Sequence, residues 1–93
     1  MSTANSLILN VKREYFAQIA SGEKTREYRL RTPYWRKRLE GKTFSHVEIC
    51  LGYPPRDDKF RRLKFPWKGY EEITLTHPHF GAEPVDVFAI ILN

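Results

Sequence analysis

The 93-residue sequence predicts a single α+β domain of about five to six short strands and two short helices. Three observations carry that expectation. Several short segments alternate apolar with polar residues, or run apolar throughout, as strands do. Two other stretches space their apolar residues at helical intervals and end at a glycine. The length allows one modest core and no second one, and no repeat or linker divides the chain.

Residues 6–11, Ser-Leu-Ile-Leu-Asn-Val, form a short apolar run of strand formers expected at the centre of a sheet. The period then changes. Val11, Tyr15 and Ile19, with Phe16 and Ala20 one position round, make a stripe at helical spacing, so 12–21 reads as a helix whose aromatic stripe is core. Gly22 follows where a left-handed C-cap is wanted. A polar strand is expected from Lys24 to about Leu30. Thr32 and Pro33 are the N-cap and first residue of a second helix, stopped by Gly41, with Trp35 and Leu39 facing inward together.

Residues 44–53 alternate Val47, Ile49 and Leu51 against His46, Glu48 and Cys50, a half-buried strand. Pro54-Pro55 marks a loop over 52–58. Residues 59–65 alternate loosely, and Pro66 forbids a central strand past it, which makes this an edge ribbon running to Gly69. Its aromatics, Phe65, Trp67 and Tyr70, are assigned to the core before any stacking role. Residues 70–76 form a strand with one apolar face, 77–81 a turn, and 85–92 a nearly continuous apolar strand buried on both faces.

The net charge is +5, unevenly distributed. Residues 24–68 hold 14 lysines and arginines against 5 acids, a balance of +9; the remainder holds 2 against 6, a balance of −4. Such polarity attracts polyanions to one region, with nucleic acid the first partner to expect. No apolar run approaches the roughly 20 residues of a membrane helix, so no membrane partner is expected. The opening residues lack the basic and apolar regions of a signal peptide, and the single cysteine, Cys50, suits a reducing compartment; a cytoplasmic protein follows. Cys50 lies in an apolar strand pattern without a base beside it and reads as structural.

The stretch 22–29, Gly-Glu-Lys-Thr-Arg-Glu-Tyr-Arg, is organised differently from the rest. Lys24, Arg26 and Arg29 surround one carboxylate, Glu27. Two readings fit: a solvated edge strand charged against aggregation, or a cleft wall in which cations hold an anionic ligand and Glu27 orients them or moves a proton. Strict alternation sets Lys24 and Glu27 on opposite faces. They share a cleft only if Lys24 sits in the turn before the strand, or if a bulge breaks the alternation.

Gly22, Lys24, Glu27 and Arg29 match the G-x-K-x-x-E-x-R pattern of the ASCH domain, a family related to PUA domains, and the chain resembles it also in placing a strand and one helix before that motif. The resemblance implies a small PUA-like mixed β-barrel spanning 1–93, with a cleft for RNA or a modified nucleoside. Some relatives are hydrolases. Those that remove the acyl group of N4-acylated cytidine carry a lysine at the position of Lys24, a threonine where this chain has Glu27, and a further glutamate for which Glu71 and Glu72 are the candidates.

The expected ligand-binding set is therefore Lys24, Arg26, Glu27 and Arg29, with Arg36, Arg38, Arg61, Arg62 and Lys64 steering phosphates. Arg36, Lys37 and Arg38 are otherwise a plain solvated helix face. As catalytic candidates, a lysine crowded by Arg26 and Arg29 and partly desolvated has a lowered pKa and serves as base or nucleophile beside Glu27. His77 and His79 lack a third ligand at signature spacing and read as turn histidines, so no metal is expected. Phosphate-loop, dinucleotide and nucleophile-elbow motifs are absent, and no cofactor is expected. Three functions remain: RNA or nucleotide binding, hydrolysis in the same cleft, and a protein-interaction module.

Overall fold

The computed structural model describes residues 5–93. Residues 1–4, part of the stretch read for a targeting signal, lie outside the described residues. In chain order the elements are β1 (Ser6–Val11), α1 (Arg13–Ser21), β2 (Arg26–Leu30), α2 (Pro33–Leu39), β3 (His46–Leu51), β4 (Arg62–Pro66), β5 (Tyr70–Leu75) and β6 (Val85–Ile91), with a 3-10 turn at Pro78–Phe80. Six strands and two helices make the α+β class that the periodicity predicts.

The strands do not close into a barrel, which corrects the expectation drawn from the resemblance. They form two three-stranded sheets, ordered β1-β3-β4 and β2-β6-β5. In the first, β1 runs parallel to β3 and β4 antiparallel to it; in the second, both outer strands are antiparallel to β6. Leu7, Leu9, Val47 and Ile49 of the first sheet and Phe88 and Ile90 of the second enter one shared core, joined by Ile19 of α1 and Leu39 of α2. Burying each such side chain is worth about 1.5–3 kcal/mol, so side-chain packing holds the two sheets together where no ladder joins them. Their outer strands end against polar or proline residues. Pro66 terminates β4 without an N–H to extend a ladder, and the edge strand β5 presents Glu71 and Glu72 to solvent.

Local signals place most elements as read. Gly22 takes the left-handed conformation (φ 85°), its N–H donating to the Ile19 carbonyl. Thr32 caps α2, its hydroxyl accepting from the Trp35 N–H at 3.4 Å. Val87, Phe88, Ala89 and Ile90 are all buried, because β6 is the central strand of its sheet and is covered on both faces. Phe65, Trp67 and Tyr70 pack against the core, with Trp67 edge-on to Phe44 at 5.0 Å.

Two expectations about faces change. Ala20 is exposed, since the apolar stripe of α1 is narrower than the sequence suggests. On β3, Cys50 is buried together with Val47 and Ile49, because Arg62 from β4 lies over the second face, 2.7 Å from the Glu48 carboxylate and 3.2 Å from the Cys50 sulfur.

Candidate ligand-binding cleft

A cleft of about 730 Å³ opens where β1, α1, β2 and α2 meet. Its polar floor comes from the 22–29 stretch. The backbone N–H of Lys24 donates to the Gln18 carbonyl at 3.0 Å, so the chain stays in the turn after α1 and the strand begins only at Arg26. That turn resolves the alternation problem: Lys24 reaches the face that Glu27 occupies, and its Nζ lies 3.7 Å from Oε1.

Glu27 is only 5% exposed, a buried carboxylate that needs partners to stay charged. Lys24 engages one oxygen, and the Arg29 guanidinium donates to the other. Arg29 stands two residues along β2 and also donates to the Tyr28 carbonyl (2.9 Å) and the Asn10 carbonyl (3.0 Å). It thereby ties β2 of one sheet to β1 of the other.

Aromatic rings form the walls. The Lys24 ammonium sits 4.4 Å from the Tyr28 ring centre and 5.4 Å from that of Tyr15. Arg29 lies 5.4 Å from the Trp35 ring, and Arg38 stacks over Trp35 and Tyr34 at 5.5 and 5.2 Å. His77 closes the third side, 6.0 Å from Tyr15 and 6.3 Å from Tyr28. Burial pushes the Lys24 ammonium below the usual lysine value; Glu27 opposes that shift and Arg29 reinforces it. Burial pushes the Tyr15 hydroxyl up, aided by Glu14 and Glu27.

Of the residues singled out from the sequence, Lys24, Glu27, Arg29 and Arg38 line the cleft. Arg26, Arg36, Arg61, Arg62 and Lys64 are absent from its lining. Arg26 turns away to Glu71 at 3.2 Å, and Arg31 takes Glu72 at 3.2 Å, so neither glutamate lines the cleft. Arg36 pairs with Glu40 at 3.5 Å, an i,i+4 balance that the sequence reading overlooked. Arg62 is spent internally, on Glu48 and on the Pro54 and Pro55 carbonyls. Lys64 is exposed on β4, and Arg61 borders a separate depression.

Sequence reasoning missed Asn10, Tyr15, Trp35 and His77 as cleft residues. Asn10 had a signal, being the polar member of an apolar strand run. Tyr15 and Trp35 had none, because each joins the core on one side and the cleft on the other. Cys50 lies outside the cleft, its thiol pushed up by burial. Among the described residues, no group of three or more His, Cys, Asp and Glu could hold a metal ion, and no helix is long and apolar enough to cross a membrane.

No protein-family model, curated protein or solved structure matches the chain.

The arrangement offers a planar ligand two kinds of contact at once. Rings supply stacking surfaces, while Lys24 and Arg29 donate and Glu27 accepts at the floor. A flat heterocycle carrying both donors and acceptors along one edge uses all of them.

Proposed function

We propose that this chain is an ASCH-like, PUA-related domain that takes a nucleobase into the cleft, either within RNA or as a modified nucleoside. The observation that carries the reading is the buried Lys24–Glu27–Arg29 cluster at the floor of an aromatic-walled cleft. The base stacks against Trp35 and Tyr28, its polar edge meets the cluster, and Arg38 stands at the rim for a phosphate. The test is a titration with cytidine and N4-acetylcytidine followed by NMR. Signals of Lys24, Glu27 and Trp35 shift on binding; unchanged signals with both compounds, and with a short RNA at low salt, reject the proposal.

A second reading, hydrolysis of an acylated base, is favoured by the placement of Lys24, largely buried between the Tyr15 and Tyr28 rings and 3.7 Å from Glu27, where burial lowers its pKa. In it the neutral amine takes a proton from water, hydroxide adds to the acyl carbon, and the resulting ammonium returns the proton to the departing base nitrogen as the acid product forms. Glu27 holds the charged amine in place. Release of acetate from N4-acetylcytidine by the wild type, abolished in Lys24→Ala, is the expected result; turnover that survives the substitution removes Lys24 from this role.

A further inference from the structure

Among the described residues four large hydrophobic side chains are strongly exposed: Ile8 (47%), Tyr34 (61%), Tyr53 (90%) and Phe60 (96%). Singly exposed apolar residues are ordinary. The arrangement of these four is not: three share the cleft, and Phe60 adjoins in sequence the Arg61 of a neighbouring depression. Ile8, Tyr34 and Tyr53 line the cleft. Gly52, next to Tyr53, also borders a second depression of about 400 Å³, which Val11 and Lys12 share and which Arg13, Leu51 and Arg61 complete. Phe60 directly precedes Arg61. The two depressions therefore adjoin along Val11, Lys12 and Gly52 and together make one track, with the Tyr34 and Tyr53 rings in the first and Arg13 and Arg61 in the second.

The loop carrying Tyr53 is fastened at both ends. Asn10 Nδ2 donates to the Gly52 carbonyl at 2.7 Å, and the Gly52 N–H donates to the Val11 carbonyl at 3.0 Å. Farther along, Arg62 donates to the Pro54 and Pro55 carbonyls at 3.0 and 3.1 Å. The exposed ring is thus held out from an anchored backbone. Among the described residues no carboxylate pairs with Lys12, Arg13 or Arg38. Arg61 meets Asp58 at 3.5 Å, an exposed contact of the kind that contributes little, and Glu14 follows Arg13 in the first turn of α1.

We propose that a single-stranded nucleic acid lies along this track, with one base in the cleft and neighbouring bases stacked on Tyr34, Tyr53 and Phe60. Lys12 at the border of the cleft, and Arg13 and Arg61 beyond it, hold its phosphates. Cations for the backbone and rings for the bases are the two requirements of single-strand binding, and Lys12, Arg13 and Arg61 beside the exposed rings supply both. The proposal rests on the cleft taking a base, and it adds the course of the strand beyond the cleft.

The experiment compares cytidine with labelled pyrimidine strands of about 12 nucleotides, within the range of single-strand site sizes, as RNA and as DNA. The full chain is titrated at several salt concentrations, with Phe60→Ala and an Arg13→Gln/Arg61→Gln double variant alongside. All three positions lie outside the cleft lining, and circular dichroism checks the fold. Phe60→Ala is expected to weaken strand binding roughly fivefold or more, as removal of one stacking ring does. The double variant is expected to flatten the slope of log affinity against log salt by about 1.4, because each single-strand phosphate that a cation neutralises adds about 0.7 to that slope. Both variants bind cytidine as the wild type does. A preference for the RNA or equal affinity for both sugars supports the track alike, the first adding recognition of the 2′-hydroxyl. A strand that binds no tighter than cytidine, or variants that bind the strand like the wild type, overturn the track and leave the cleft standing. Failure of every ligand overturns both.

Discussion

Glu27 is the residue on which the cleft depends, and its energetics are those of a buried charge with two partners. Removing one member of such a group strands the others: Glu27→Ala is expected to cost about 3–5 kcal/mol of stability, read from denaturant midpoints. Replacing Glu27 and Lys24 together, as Glu27→Leu/Lys24→Met, is expected to cost less than the single change, since Arg29 keeps its bonds to the Asn10 and Tyr28 carbonyls. A double variant weaker than the single one would contradict the pairing. Lys24 carries the pH dependence. Its folded pKa is lowered from 10.5, chiefly by burial, so between that lowered value and 10.5 the unfolded chain binds more protons. Stability from this group accordingly rises as pH climbs through that window and is lost as pH falls through it. The lysine ε-CH₂ signal of Lys24 should titrate with a midpoint below 10.5; a midpoint at or above it refutes the desolvated placement.

The element that positions this chemistry is the end of α1. Gly22 holds φ 85° with no atom within 4 Å of where a Cβ would stand, so Gly22→Ala introduces backbone strain without a clash. The expected loss is about 1 kcal/mol. Because the Lys24 N–H hangs on the Gln18 carbonyl in the same turn, ligand affinity at the cleft falls as well. Unchanged affinity in that variant would separate the cap from the site. Thr32→Ala, which removes the cap of α2, is expected to cost about 1 kcal/mol by the same measurement. These elements were legible in the sequence because caps and periods are local: Gly22, Thr32-Pro33 and the apolar run of 85–92 each state their conformation within a few residues. The second face of β3 was not legible. Whether Glu48 and Cys50 meet water depends on Arg62, fourteen and twelve residues away, and on β4 pairing beside them.

Across the whole molecule, β6 binds its sheet to the shared core, and Phe88 is its largest fully buried side chain, edge-on to Tyr70 at 4.9 Å. Phe88→Ala is expected to cost about 3–5 kcal/mol, a large share of the roughly 5–15 kcal/mol that holds a typical domain together. Calorimetry that finds a loss below about 1 kcal/mol would show that the sheets do not depend on this packing. The global arrangement of charge is where sequence and structure part. Counting located an excess of cations over residues 24–68, yet Arg26, Arg36 and Arg62 within it are occupied by Glu71, Glu40 and Glu48. Lys12 and Arg13, outside that span, border the depression beside the cleft. By itself the sequence determined the secondary elements, most of the core and the polar motif after the first helix, since each is written in neighbouring residues. Only the tertiary structure decided which cations face a common space and that two separate sheets replace a closed barrel. Those outcomes depend on strand pairing between distant segments, such as β1 with β3 and β2 with β6, and on the reach of Arg29 from one sheet to the other.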